Sequence, residues 1–215
     1  MQGGASWSRT ATVVLFFAGV SGTAAAQSTA DTSKHPLAGR MLGSASAPVT
    51  VYEMSDFQCP YCRDFAMNTF PTIYTSYVTT GKVRWAFVNF PLTSIHANAE
   101  PAAEVGLCAA RQNAFWPVHD LLYRHQDVWA PLKEPAAFFV TLADSAKISK
   151  ATFLACLQSP ATQNAVRADA ESAERSGARS TPSFYIEGGL LIGAQPPEVF
   201  RQVLDSILKV KQRGK

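Results

Sequence analysis

The sequence has no excess of charge of either sign and only one long apolar run. Charged residues make up 16% of the 215 residues, 19 of them basic and 16 acidic, while hydrophobic residues make up 47%. This composition excludes a disordered or highly charged chain. It also lacks the excess of basic residues that is typical of proteins that bind nucleic acid. The apolar run, Ala11 to Val20, would be about 15 Å long as a helix, half of a hydrocarbon core of roughly 30 Å. Stable membrane insertion is therefore not expected.

The apolar run belongs to a segment that is typical of a cleaved export signal. Arg9 supplies a basic start, Ala11 to Val20 the apolar centre, and Ala24 to Ala26 a small-residue cleavage site. We predict a signal peptide over 1–26 and a periplasmic or otherwise extracytoplasmic location, with an uncleaved anchor as the alternative. Residues 27–47 are rich in Ser, Thr, Ala and Gly, which predicts a flexible N-terminal arm or a weak first strand.

Two α/β segments flank a helical block in the hydrophobic periodicity of the chain. Period-two alternation with β-branched residues predicts strands, and apolar residues at a spacing of 3.6 predict helices. Pro71 should kink or divide the first helix. The predicted order is a strand at 49–55, a helix at 60–81, a strand at 82–90, helices between 91 and 177, a hairpin at 183–192 and a last helix from 196.

Four cysteines are few for a chain of this length, which buries a sizeable core without disulfides. Two of them form the motif Cys59-Pro60-Tyr61-Cys62, directly after the first predicted strand and at the start of the first predicted helix. One helical turn brings positions i and i+3 together, so the two sulfurs can form a disulfide. The helix N-terminus lowers the pKa of Cys59, whereas Cys62 lies one turn deeper and is better shielded. Cys59 is then the attacked and attacking sulfur, and Cys62 resolves the mixed disulfide.

Two other interpretations of the motif remain open on spacing alone. One is half of a zinc site, which needs two further ligands; the remaining cysteines and the four histidines form no paired ligand motif with it, so no metal is predicted. The other is an inert structural disulfide, which the position between a strand and a helix disfavours.

With this motif the chain resembles the DsbA-like thiol-disulfide oxidoreductases that have a helical domain inserted in a thioredoxin fold. The residues that carry the resemblance are Ala47–Val51, Glu53–Cys62, Phe115–Trp116, His119–Leu122 and Ser180–Phe184. The resemblance runs from about residue 48 to 210 and implies an α/β, thioredoxin-like fold with an inserted α-helical domain. Residues 48–92 and 177–210 would form a discontinuous thioredoxin-like domain, and 93–176 the inserted helical domain.

The resemblance also implies roles for individual residues. Cys59 and Cys62 are the redox pair, and Thr181-Pro182 is the family's cis-proline loop, which binds extended substrate backbone; an ordinary trans turn proline is the alternative. Glu53, six residues before Cys59, matches the family's buried acid and would exchange a proton with the resolving thiol. The alternative for Glu53 is an exposed glutamate at a strand end.

Cys108 and Cys156 both lie in the predicted helical block. Related sequences with a cysteine in each of these helices commonly join them, so we expect a structural disulfide that stabilises the fold by up to about 4 kcal/mol. Two separate buried thiols are the alternative.

The predicted function is that of an exported thiol:disulfide oxidoreductase that most simply acts as an oxidase on cysteine-containing secreted proteins. The resemblance implies a membrane thiol oxidase as the reoxidising partner and no metal or dissociable cofactor. Tyr61 stands where the strongly oxidising members of the family carry a histidine, and it cannot add the positive charge that stabilises a thiolate. A disulfide reductase or isomerase therefore stays open, as does a redox-silent peptide-binding or chaperone module.

Overall fold

The computed structural model describes residues 1–2 and 35–214, and residues 35–214 form the fold. The predicted signal peptide, apart from its first two residues, and the predicted arm up to residue 34 lie outside the described residues. In the part that is described, no helix combines the length and the apolar character needed to cross a membrane.

A five-stranded mixed sheet forms the centre of the fold, in the order β1-β3-β2-β4-β5. β2 and β3 run parallel, and the other neighbouring pairs run antiparallel. The strands are β1 (Met41–Leu42), β2 (Val49–Ser55), β3 (Val83–Asn89), β4 (Ser183–Ile186) and β5 (Gly189–Ile192).

The helices lie between β2 and β3, between β3 and β4, and after β5. The first group is one continuous helical run made of α1 (Pro60–Asp64), a π-helical turn (Phe65–Thr69), α2 (Phe70–Ile73) and a second π-helical turn (Tyr74–Val78). The middle group is α3 (Ala99–Ala110), α4 (Phe115–Arg124), α5 (Gln126–Trp129), α6 (Ala136–Ser145), α7 (Lys150–Leu157) and α8 (Pro160–Arg175). The last helix is α9 (Pro197–Arg213).

Both faces of the sheet are covered, which explains why β3 is apolar on both sides. On one face Trp85 and Phe184 pack with Phe65, Phe70 and Phe200 of the first helical run and α9. The opposite face, which includes Met54 and Val88, packs against Ala173 of α8 and its neighbours. Burial of these apolar side chains stabilises the fold by roughly 25 cal/mol for each Å² of apolar surface removed from water. The sheet is therefore a rigid base for the loop that follows β2.

The first helical run continues through Pro71, although the regular α-helix gives way to a π-helical turn directly before it. In the π-helical turn directly before Pro71, the Phe70 N–H donates to Phe65 O, five residues back, instead of to the oxygen four residues back. A proline lacks the N–H of an ordinary helical bond, and its ring clashes with the carbonyl four residues earlier. A wider turn at this point relieves that clash, and the helix continues.

The described part of the predicted arm includes β1 (Met41–Leu42), which matches the weak first strand given as the other possibility for this segment. Arg40 is buried, and its guanidinium is paired with the carboxylate of Asp169 on α8. Arg40 Nη2 also donates to Pro36 O at 2.7 Å. Directly after Arg40, β1 pairs with β3, with Met41 opposite Ala86. A buried charge pair fixes the segment here, and composition does not reveal a partner 129 residues away in the sequence.

Candidate active site

Cys59 lies at the N-terminus of α1, four residues beyond the end of β2. Its backbone is extended, with φ −71° and ψ 124°, and Pro60 occupies the first helical position, where the missing N–H costs nothing. Cys59 is 4% exposed and Cys62 is fully buried, and both are free thiols. Tyr61, between them, is 68% exposed. The motif therefore presents one sulfur near the surface and keeps the other inside.

The two thiols have opposite pKa shifts. A hydrogen bond from the Cys62 thiol is the largest cause that lowers the pKa of Cys59 to about 6, and Thr181 and the N–H groups of Cys62 and Tyr61 add to it against the effect of burial. Burial is the main cause that raises the pKa of Cys62 well above its ordinary value, and the neighbouring Cys59 adds to that rise. Near pH 7 the outer sulfur is therefore a thiolate and the inner one a thiol.

The loop before β4 lies against Cys59. β4 runs antiparallel to β2, so the start of β4 and the end of β2 lie side by side at the same end of the strands. The Thr181–Pro182 bond is cis, and the Cys59 thiol is 3.5 Å from Thr181 O. Thr181 is buried, and its hydroxyl has no hydrogen-bond partner among the described residues. The structure thus brings the predicted loop and the predicted cysteine together.

Glu53 is buried in the middle of β2 and is 1% exposed. It is not the exposed strand-end residue of the alternative interpretation. The Trp85 indole N–H donates to Glu53 Oε2 at 2.8 Å. Burial raises the pKa of this carboxyl, while the charge of His119 and the hydrogen bonds from Trp85 and Ser55 oppose the rise. A carboxyl with a raised pKa can give and take protons closer to neutral pH than an exposed one.

Side chains that the sequence analysis did not single out hold the loop between β2 and α1. Asp56 Oδ1 accepts from the Gln58 N–H at 2.7 Å, and Asp56 Oδ2 accepts from the Leu92 N–H at 2.9 Å and lies 2.7 Å from His96 Nδ1. These bonds fix the loop to the segment after β3. Asp56 was visible in the sequence only as the end of a strand, because its partners come from a segment about 40 residues away.

The inserted helices supply a second anchor for the motif. Gln126 of α5 donates from Nε2 to Phe57 O at 2.7 Å and to Cys59 O at 3.0 Å. The Tyr123 hydroxyl of α4 lies 3.1 Å from Ser55 Oγ. Because buried carbonyl and hydroxyl groups are costly when unpaired, these contacts hold the helical insertion against the cysteine motif.

Cys108 of α3 and Cys156 of α7 are joined in a disulfide, with an S–S distance of 2.02 Å and a Cα–Cα distance of 5.7 Å. The Arg111 guanidinium donates to Cys156 Sγ at 3.2 Å. The bond ties two helices of the insertion to each other. No group of three or more His, Cys, Asp and Glu side chains within the described ranges is arranged to hold a metal ion.

Comparisons with known proteins agree with this architecture. The family model described as "Thioredoxin" matches residues 36–206. A probable disulfide bond formation protein D of Bacillus anthracis is 30% identical over 171 residues, covering 78% of this chain and 77% of the relative. The crystal structure of oxidised BdbD from Bacillus subtilis superposes with a TM-score of 0.72 at 24% identity, covering 79% of this chain and 92% of that one.

A further relative is much longer than this chain. The Na(+)/H(+) antiporter NhaA 3 of Salinispora tropica is 34% identical over 146 residues, which are 68% of this chain but 21% of the antiporter. The likeness is thus to one part of that protein.

The fold and the site define a thioredoxin-fold protein with a helical insertion, which confirms the predicted fold class. The chain belongs to the thioredoxin family and, within it, to the DsbA-like protein-disulfide oxidoreductases.

Proposed function

We propose that Cys59 and Cys62 are the redox pair of this oxidoreductase and that the chain works as an oxidase on the thiols of exported proteins. The observation that carries the proposal is the asymmetry of the pair, with the pKa of the outer Cys59 lowered to about 6 and that of the buried Cys62 raised. A stabilised Cys59 thiolate favours the reduced form of the pair, and a disulfide whose reduced form is stabilised is a stronger oxidant.

The reaction starts from the Cys59–Cys62 disulfide. A substrate thiolate attacks Cys59 Sγ, the S–S bond breaks, and its electron pair leaves on Cys62 Sγ, which takes up a proton. A second substrate thiolate then attacks the substrate sulfur of the mixed disulfide and displaces Cys59 as its thiolate. The substrate loses two electrons and gains a disulfide, and the enzyme gains the two electrons. Because Cys59 leaves as a stable thiolate, its low pKa assists the second step.

Glu53 is proposed as the proton donor to Cys62 in the first step. Ser55, two residues further along the same face of β2, lowers the pKa of both groups against the larger effect of burial. A carboxyl whose pKa is raised by burial holds its proton more tightly than an exposed one, and it can give that proton when the Cys62 thiolate forms and regain it later.

The Thr181–Pro182 loop is proposed as the substrate site. Thr181 O is 3.5 Å from Cys59 Sγ, so an extended peptide that pairs with the backbone at Thr181 runs past the sulfur. Addition of a strand in this way binds the main chain of many sequences, as an enzyme with varied protein substrates requires. Residue-specific pockets are not needed for this kind of recognition.

Export and the physiological partners are part of the proposal. The sequence over 1–26 supports a cleaved signal peptide and hence an extracytoplasmic, periplasmic location. Secreted proteins with cysteines would be the substrates, and a membrane thiol oxidase would reoxidise the Cys59–Cys62 pair. An oxidising compartment is where such a pair can cycle as an oxidant.

The test is oxidation of a reduced dithiol peptide by one equivalent of the oxidised protein. The parent should form the peptide disulfide, Cys62→Ser should stop at a mixed disulfide with Cys59, and Cys59→Ser should do neither. A parent that binds the peptide but leaves it reduced would favour the peptide-binding module. A parent that reduces a peptide disulfide but does not oxidise the dithiol would favour the reductase.

A further inference from the structure

Two buried ionisable side chains near the cysteine motif each have a polar atom without a hydrogen-bond partner in the described part of the chain. The atoms are Glu53 Oε1 and His119 Nε2, and both residues are 1% exposed. Buried polar atoms are paired in the great majority of cases. Two unpaired polar atoms on ionisable groups that lie against the same ring therefore indicate a water that bridges them rather than packing alone.

Glu53 and His119 both lie against Phe87 of β3. Glu53 is paired with Phe87 on the neighbouring strand, so the two side chains are adjacent on one face of the sheet. The His119 ring lies with its centroid 5.4 Å from that of Phe87 and 4.9 Å from that of Tyr123. Tyr123 in turn reaches Ser55, two residues beyond Glu53 on the same face. His119 is also one of the groups that act electrostatically on Glu53.

The other ring nitrogen of His119 leads to the surface. His119 Nδ1 lies 2.9 Å from Asp120 Oδ1, and the Asp120 side chain is 62% exposed. Asp120 lines a surface cleft of about 440 Å³ together with Trp116 and Arg124. His119 therefore has one nitrogen in the interior and the other on a carboxylate that exchanges protons with water.

We propose that His119 carries protons between the buried Glu53 and the surface residue Asp120 during thiol-disulfide exchange. This inference rests on the proposed function, in which Cys62 needs a proton when it is released. His119 does not touch the reacting sulfurs; it acts through Glu53. Other titratable groups near this path are Cys62 on α1, Tyr123 on α4 and Asp56 before α1, and Cys62 and Asp56 act electrostatically on Tyr123.

The proton steps balance over one catalytic cycle. Cys62 takes the proton of the protonated Glu53 carboxyl, and the Glu53 carboxylate regains a proton from Nε2 of His119 through the bridging water. Asp120, protonated from solvent, gives that proton to Nδ1 of the same ring and becomes a carboxylate again, so the ring changes tautomer but not charge. When the pair is reoxidised, the same transfers run in reverse and release the proton, which restores the starting tautomer.

The test compares His119→Gln and Asp120→Asn with the parent in the oxidation of a dithiol peptide, measured from about pH 5 to 8. Because a direct acid–base group contributes roughly 10²- to 10⁴-fold, we expect His119→Gln to slow the reaction by about 10- to 100-fold. Asp120→Asn, on the surface, should slow it several-fold, most strongly at high pH where protons are scarce. Added imidazole buffer should restore the rate of Asp120→Asn in proportion to its concentration.

Matched controls are His125→Gln, at the end of the same helix, and Asp144→Asn, an exposed acid on α6; both should react like the parent. Parent-like rates and pH profiles for His119→Gln and Asp120→Asn would overturn the relay. A slow His119→Gln with an unaffected Asp120→Asn and no response to buffer would also overturn it and indicate a packing role. If the parent itself leaves the peptide reduced, the proposed function fails instead of the relay.

Discussion

The hydrogen bond between the two motif sulfurs gives the sharpest prediction about the site. The Cys62 thiol is the largest cause of the lowered pKa of Cys59, and a hydrogen bond to a charged group contributes about 1.5–3 kcal/mol. At 1.36 kcal/mol per pKa unit, its removal corresponds to about one to two units. Cys62→Ala should therefore raise the pKa of Cys59 from about 6 to about 7 or 8.

The assay is the rate of alkylation of Cys59 by iodoacetamide as a function of pH, with the Cys108–Cys156 disulfide intact. At pH 7 the thiolate fraction should fall from about 90% in the parent to about half or less in Cys62→Ala. Cys62→Ser is the matched control, because its hydroxyl keeps a donor at the same position, and its pKa should lie between the other two. The reasoning is refuted if Cys62→Ala titrates at about 6, like the parent.

Three further predictions concern stability and are measured by urea unfolding of the oxidised protein. Replacement of Cys108 and Cys156 by Ala should lower the free energy of unfolding by up to about 4 kcal/mol, because the disulfide closes a loop of 48 residues; an unchanged value would contradict this. Asp169→Ala leaves the buried charge of Arg40 unpaired and should cost about 3–5 kcal/mol, more than replacing both residues by Met. The raised pKa of Glu53 means that the folded chain holds this proton more tightly than the unfolded chain. The parent should therefore lose stability relative to Glu53→Gln as the pH rises above 4.5, and parallel curves would contradict the shift.

The order of strands and helices could be predicted because it depends on local periodicity. β2, β3 and the β4–β5 hairpin fall within one or two residues of their predicted ranges. The cysteine motif could also be found, because a spacing of three residues at a helix start is a local geometric requirement.

Contacts between distant segments could not be predicted in the same way. The pairing of Arg40 with Asp169 joins residues 129 apart, and it orders a segment whose composition is typical of a flexible arm. Asp56 and Gln126 reach the motif only once the segment after β3 and the helical insertion have packed against it. His119 was part of the pattern that carried the resemblance, but its position against Phe87 depends on how α4 lies on the sheet.

The central claim is that Cys59 and Cys62 form an oxidising pair while Cys108 and Cys156 do not take part. The most direct measurement is equilibration of the protein with glutathione buffers at several pH values, with counting and mapping of thiols. Two thiols, Cys59 and Cys62, should appear first, at a potential above the roughly −270 mV of thioredoxin. With a Cys59 pKa of about 6, the potential should fall by about 59 mV per pH unit below that value and about 30 mV per unit above it. A potential at or below that of thioredoxin, or the simultaneous appearance of all four thiols, would contradict the account.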